Sequence, residues 1–449
     1  MSLSTPILSV LSHFRSVFTR PTWEKAQVLV TGTILARGRR TVTAALRATG
    51  HEHDTHFSRF HAVFSRARWS ALELARRLLL LLVQAFAPQG ALTLVIDETL
   101  ERRRGPTISE RSYHRDPIAS SKSQLVVASG LRWMVLALVV NVPWSRHRWA
   151  LPFLSRLAPS AKLDAARQRR HKTLCIHARQ MMTVVRRWLP GVPLTLLGDT
   201  TYSAVALGHA CRRRRVRLIA PLGLKACLHD PLPPSTGKRG RGRPRKAGRA
   251  QPKLAAVLVD PKTVWRTAEV LWSEGIMRAL ELVSGTAWWS HAGEPPLPIR
   301  WVLTRDPAGK LEPRAYFSTE PSDTAEAIVA EFLKRWPIET TFEESRAHLG
   351  IETQRQWSDA AIERETPCLF GLYSVVALLG DALRDGASLP IRTAAWSRKT
   401  EATFADILAA VRRQCWGPAN IPDSEEDPRV VKIPRPLFER LMNTACYAN

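Results

Sequence analysis

The sequence predicts an α/β chain: a mixed sheet flanked by helices, with an inserted antiparallel β-subdomain and helical N- and C-terminal regions. Three observations predict it. Short apolar runs at Leu92–Ile96, Leu194–Leu197 and Val216–Leu222 are bounded by Gly or charge and alternate with helical periodicity, as buried strands of an α/β core do. Residues 253–318 alternate apolar and polar side chains, the period-two pattern of antiparallel strands. Residues 1–88, and those from 324 onward, repeat apolar positions every three or four residues, as amphipathic helices do.

From the N terminus, Trp23–Leu35 and Thr41–Ala48 read as helices, Gly50 stops the second, and Phe57–Val83 supplies one or two more. Short helices carrying Arg37, Arg39, Arg40, Arg47, Arg59 and Arg66 suit a helix-turn-helix DNA reader, or equally a plain helical bundle. The run His51–His56 has neither partner cysteines nor HExxH spacing and reads as a polar loop. The core then opens with the strand Leu92–Ile96, and two strand-like runs around Gly130 in Gln124–Val140 suggest a hairpin or meander. Residues 161–188 read as one long basic helix, followed by a strand (Leu194–Leu197), a helix (Ser203–Arg213) and a strand (Val216–Leu222). Three strands, helix, strand, helix, strand is the ribonuclease-H-like order. The expected domains are a helical DNA-binding region (1–88), a core in two parts (89–222 and 319–358), a β-rich insertion (223–318) that includes the run Ala255–Val259 as a strand, and a helical C-terminal region (359–449) for dimerisation or DNA contact.

Composition narrows the partner. Of 449 residues, 66 are Lys or Arg and only 39 Asp or Glu, a net charge of +27 that favours a polyanion. The charge comes in bursts at Arg102–Arg104, Arg167–Arg170, Arg212–Arg215 and Lys238–Lys246. The last, with its Gly-Arg-Pro centre, cannot pack a core and resembles an AT-hook, whose arginines lie in a narrow minor groove; Lys238, Arg241, Arg243, Arg245 and Lys246 are its candidate DNA contacts. No apolar run nears the roughly 20 residues that span a bilayer, no secretory leader is evident, and six scattered cysteines without a CxxC pair fit a reducing cytoplasm.

Three carboxylates stand at element ends in this basic chain. Asp97 follows Leu92–Ile96, Asp199 follows Leu194–Leu197 after Gly198, and Glu339 lies in a helical first turn that Pro337 restarts. Acids are needed there because phosphodiester attack builds negative charge, which two divalent cations about 3.5–4 Å apart stabilise. Mg2+, for which Mn2+ substitutes, prefers such hard oxygen donors. Glu339, Glu343 and Arg346 share one helical face, while Glu98 should point to the opposite side of its strand from Asp97. Glu98, Glu343 and Glu344 are decoys beside the expected ligands, although Glu343, on the Glu339 face, could assist.

The segment Phe332-Leu-Lys-Arg335-Trp-Pro-Ile-Glu339-Thr-Thr-Phe-Glu-Glu-Ser-Arg346 resembles the Y-x2-R-x3-E-x6-K signature of DDE-superfamily bacterial insertion-sequence transposases, in the branch with a β-strand insertion before the glutamate. Phe332 replaces the signature's tyrosine and Arg346 its lysine. Val95-Ile-Asp97-Glu-Thr99 is similar to the first-acid strand, and Gly198-Asp199-Thr-Thr-Tyr202 to the second-acid motif. The resemblance spans residues 92–358. It implies that Asp97, Asp199 and Glu339 are catalytic and hold the metals, and that Arg335, Arg346 and Tyr202 contact DNA. Within the insertion, Trp288 or Trp289 would receive a flipped base, or else pack the core. The implied activity is cleavage at terminal inverted repeats and joining of the 3′-hydroxyl ends to target DNA, by a homodimer in the bacterial cytoplasm. A catalytically inactive, transposase-derived DNA-binding protein and a stand-alone nuclease are the alternatives.

Overall fold

In the computed structural model, residues 4–116, 119–121, 123–232, 247–271, 276–384, 389–396, 398–416 and 431–446 are described. Five helices come first: α1 (Thr5–Ser12), α2 (Arg20–Leu35), α3 (Val42–Thr49), α4 (Ser58–Ser65) and α5 (Ala71–Phe86). Thr41 caps α3 by accepting from the Ala44 amide at 3.1 Å, and Gly50 closes it in the left-handed conformation (φ 76°), which glycine adopts without a Cβ clash. Gly32 permits α2 to lie against α3, since a Cβ there would stand 2.4 Å from the Ala45 carbonyl oxygen.

The core follows as β1 (Leu92–Arg102), β2 (Ser112–Arg115), β3 (Val127–Val142), β4 (Ser145–Leu157), α6 (Ala161–Ala166), α7 (Leu174–Trp188), β5 (Leu194–Leu197), α8 (Val205–Arg213) and β6 (Val216–Leu222). Next are β7 (Cys227–His229), α9 (Leu254–Val259), β8 (Arg266–Leu271), β9 (Met277–Ser290), β10 (Leu297–Arg305) and β11 (Arg314–Ser318). Helices α10 (Ala325–Leu333), α11 (Pro337–Leu349), α12 (Asp359–Arg384), α13 (Phe404–Trp416) and α14 (Arg435–Cys446) complete the chain.

All these strands share one mixed sheet. Its first half runs β4-β3-β1-β5-β6, with β1, β5 and β6 parallel and β3 antiparallel on both sides, which is the strand order expected of a ribonuclease-H-like core. The insertion does not form a sheet of its own. β11 pairs antiparallel with β6, and β10 and β9 continue outward, so the inserted strands widen the core sheet.

Alternation along β1 separates the two faces. Leu92, Leu94 and Ile96 pack with α5, α7, α8, α12 and α13, while Val95 packs with α10, α11 and Phe370 of α12. By length and composition α12 could cross a membrane, yet most of that stretch is buried, against β4, α5 and α13. Its Arg364 donates to the carbonyls of Phe64 and Ala67 at 2.8 and 2.9 Å, and Arg40 donates to the His348 carbonyl at 2.7 Å. The N-terminal helices are thereby docked on α11 and α12.

Three local expectations are corrected. The hairpin around Gly130 is instead one long strand, β3, whose partner is β4; glycine stands at 130 because a Cβ there would meet the Glu101 carbonyl at 2.3 Å. The basic helix over 161–188 is broken into α6 and α7, with Gln168 left-handed (φ 54°) and Arg167 and Arg169 both turned onto Glu110 at 2.7 and 2.9 Å. Ala255–Val259 is helical, since a short apolar run carries no periodicity that separates strand from helix.

Glu365 of α12 is only 5% exposed, and its Oε2 has no hydrogen-bond partner. Burial pushes its carboxyl up to about 8 against the pull of Arg103, and Glu101 adds to the rise. The folded chain thus keeps a proton that the unfolded chain releases near 4.5, so stability falls as pH climbs from there to about 8. Glu365→Gln should leave the melting temperature near wild type at pH 4.5 and raise it at pH 9, as calorimetry at the two pH values would read.

Candidate active site

β1 and β5 are parallel neighbours with Val95 opposite Leu197, which brings their acids level; β1 runs on to Arg102, so Asp97 lies within its strand and does not follow it as expected. Asp97 sits on β1, and Asp199 begins the turn after β5, where its Oδ1 accepts from the Thr201 amide at 2.8 Å. Gly198 is required there, because a Cβ would stand 2.7 Å from the Cβ of Tyr202.

The third acid arrives on α11. Pro337 occupies the first turn, where its missing amide costs nothing, and places Glu339 one turn beyond Arg335. The Arg335 guanidinium bridges the two elements: Nη1 donates to Asp97 Oδ2 at 2.8 Å and Nη2 to Glu339 Oε1 at 2.6 Å. Asp97 and Arg335 are both largely buried, whereas Glu339 is 45% exposed. α11 is tied down further along, where the Thr341 hydroxyl donates to the Ala150 carbonyl at 2.8 Å and Arg346 contacts Thr99.

The electrostatics explain the arginine. Burial pushes the Asp97 carboxyl up to about 7; Arg335 opposes this, while the charges of Asp199 and Glu98 add to it. Glu98 also lies above the usual carboxylate range, first through burial, with the hydrogen bond from Tyr202 opposing and Asp199 adding to the rise. Three acids therefore feel one another, and each would be stabilised as a carboxylate by positive charge placed among them. The all-oxygen donor set fits a hard divalent cation. Among the described residues, no three His, Cys, Asp or Glu side chains are grouped so as to hold an ion, and Arg335 supplies the positive charge between Asp97 and Glu339.

Several site expectations change on this geometry. Glu98 faces away from Asp97, as strand alternation requires, and accepts from the Tyr202 hydroxyl at 2.8 Å. Tyr202 is fully buried, so it positions Glu98 and does not reach DNA. Trp289 is 8% exposed with its ring 5.0 Å from that of Phe317, a core residue with no face for a base, whereas Trp288 is half-buried. Arg346 lies 3.5 Å from the Glu352 carboxylate, so a phosphate there would compete with an existing partner. Glu343 is exposed and Glu344 pairs with His348 at 3.2 Å. Lys238, Arg241, Arg243, Arg245 and Lys246 lie outside the described residues.

The sequence reading missed Thr201, whose hydroxyl lies 3.3 Å from Asp199 Oδ2 and 3.5 Å from Glu98 Oε1. Its place two residues after an aspartate, where a side chain commonly captures the backbone, was the available signal. Trp336, 57% exposed beside Arg335, was also passed over.

The family model of the DDE superfamily endonuclease matches residues 13–279, more than half of the chain. The chain belongs to the DDE superfamily of endonucleases. The matched segment of this DDE endonuclease contains Asp97 and Asp199 and ends before Glu339. Among solved structures, it is distantly similar to a piggyBac transposase synaptic complex with hairpin DNA determined by cryo-EM, at 10% identity and a TM-score of 0.41, over 98% of this chain and 81% of that one. No curated protein matches it.

Gly198→Ala tests the turn that carries Asp199. Forcing a methyl against Tyr202 should cost about 1–3 kcal/mol, the usual penalty of overpacking, read as a lower urea midpoint at unchanged slope. An unchanged midpoint would show that Tyr202 can retreat.

Proposed function

We propose that this DDE endonuclease is a DNA transposase of the bacterial insertion-sequence branch with the Y-R-E-K type of signature. In this reading it binds the terminal inverted repeats of its element, cuts DNA at the ends and joins the freed 3′-hydroxyls to target DNA. The observation that carries the reading is the double ion pair of Arg335, which links Asp97 on the central strand to Glu339 on a helix at the sheet end where Asp199 also lies. A concentration of carboxylates on a chain of net charge +27 suits a phosphodiester substrate, which the basic surface attracts and the acids alone would repel.

Asp97, Asp199 and Glu339 are the residues that would hold Mg2+, or Mn2+ in its place. When bound, such ions activate the attacking oxygen and stabilise the leaving one. The chain's own groups supply position. Thr201 and the turn at Asp199 fix that carboxylate, Tyr202 orients Glu98 behind it, and Arg335 sets Asp97 and Glu339 relative to each other. Arg335, like Arg346, would meet a phosphate only by releasing a carboxylate it already holds, and its guanidinium could then bind the oxygens bidentately. Two ends must be brought together for joining, so a homodimer on DNA is part of the proposal.

The test uses the full chain, labelled inverted-repeat DNA and Mg2+. Wild type should yield nicked ends and joined products. Asp97→Asn, Asp199→Asn and Glu339→Gln should each reduce both on the order of a thousandfold or more, with DNA affinity within a few fold of wild type. Cutting without joining would reduce the reading to a nuclease, and binding without either product to a DNA-binding protein. Full activity in one variant would remove that residue from the site.

A further inference from the structure

About six residues along β1 from Asp97, on the same sheet face, the chain forms a second basic feature. Odd positions share that face: Asp97, then Thr99 against Arg346, then Glu101, then Arg103, whose amide continues the ladder to the Ser129 carbonyl at 3.1 Å. Beyond them opens a groove of about 730 Å³ between the end of β1, the start of β3 and the segment joining α11 to α12. Its lining includes Arg102, Arg103, Arg104, Arg355 and Trp357, with Glu352 as its one acid.

The charges in this groove fall into two sets. Arg102 is engaged by Asp116 at 2.8 Å and Glu352 at 3.1 Å, and Arg103 by buried Glu101 at 2.7 Å. Glu352 is held in the left-handed conformation (φ 79°) between Arg102 and Arg346, so its charge is already matched. These pairs build the floor. Arg104 and Arg355 are exposed and, among the described residues, make no ion pair, and Trp357 beside them is 62% exposed. Two unmatched guanidinium groups next to an open indole ring make the combination that binds unpaired nucleic acid: cations for the phosphates and an aromatic face for a base.

We propose that this groove holds the DNA strand leaving the cut, with its phosphates on Arg104 and Arg355 and an unpaired base stacked on Trp357. The inference rests on the transposase reading and assigns a separate subsite within it. Asp97 and the groove are about 20 Å apart along the strand, from roughly 3.3 Å per residue. At 3.4 Å per step for a strand stacked as in a duplex, the subsite lies at most about six nucleotides from the cut, and fewer where the strand is extended.

The experiment compares two labelled inverted-repeat DNAs bound to the full chain: one blunt at the cut, the other carrying a six-nucleotide single-stranded tail from it. Wild type should bind the tailed DNA more tightly. Trp357→Ala should lose that preference while keeping its blunt-end affinity. The double variant Arg104→Ala/Arg355→Ala should bind the tailed DNA on the order of tenfold more weakly, and its affinity should depend less steeply on salt, by about 1.4 in the logarithmic slope for two single-strand phosphates. All three side chains are surface-exposed, and unchanged melting temperatures would verify that the variants fold. Equal affinity of wild type for both DNAs, or variants that match wild type on the tailed DNA, overturns the subsite and leaves the transposase reading standing. Failure of wild type to bind either DNA overturns the two together.

Discussion

The bridge from Arg335 to Asp97 and Glu339 is the interaction on which the rest of this site hangs. Asp97 lies in a largely buried position with two further acids in its field, an arrangement that disfavours ionisation and that burial alone would turn neutral. A guanidinium fixed in a fork geometry answers the charge and, in the same act, fixes a helix. α11 has no side-chain cap at its start, so its orientation comes from Arg335 at one end, from Thr341 on the Ala150 carbonyl, and from Arg346 on Thr99. Arg40 from the N-terminal helices then takes the His348 carbonyl at the other end. The N-terminal segment and the third acid are therefore coupled through a single helix.

The same carboxylates illustrate how strand alternation divides labour. Asp97 and Glu98 are adjacent in sequence and opposite in space. One meets Arg335 and the α10–α11 side; the other meets Tyr202 and the α7 side. Asp199, at the strand end, influences both. A second arginine in place of Tyr202 would neutralise Glu98 as Arg335 does Asp97. The tyrosine instead donates one neutral hydrogen bond and Arg132 acts on Glu98 only as a neighbouring charge, so Asp97, Glu98, Asp199 and Glu339 outnumber Arg335 and Arg132. That excess is what a hard divalent cation would answer.

What could be read from sequence follows from where the information is local. β5 and β6 were legible to the residue, because their apolar runs are short and closed by Gly198-Asp199 and by a basic turn. Glu339 was legible because Pro337 announces a helix start and Arg335, Ile338 and Phe342 fall at helical spacings. β4 was not, since Arg146, His147 and Arg148 open it and Pro152 lies within it, features of an edge strand that weaken any periodic signal. Tyr202 was misjudged as a DNA contact, and Trp289 was left open between base and core, for a different reason. An aromatic residue near a motif looks the same in sequence whether it is exposed or buried, and only the tertiary packing of Gly198 on Tyr202 and of Phe317 on Trp289 decides.

The widest departure concerns the insertion, and it bears on how an active site can tolerate one. Glu339 follows Asp199 by 140 positions, a separation that would be expected to loosen the geometry of the two acids. The chain avoids this by returning through the sheet itself. β11 pairs with β6, directly beside β5, with Ser318 opposite Ile219. The ladder is closed at the re-entry point by Thr319, which exchanges hydrogen bonds with Leu218 at 2.9 and 3.0 Å, and by Arg217 on Asp323 at 3.1 Å. α10 then starts within a few residues of the core and lays Ile328, Val329 and Phe332 on the face that carries Asp97. The position of Glu339 is thus referred to β6 and not to the length of the detour, so the outer strands can vary in number without moving the acids.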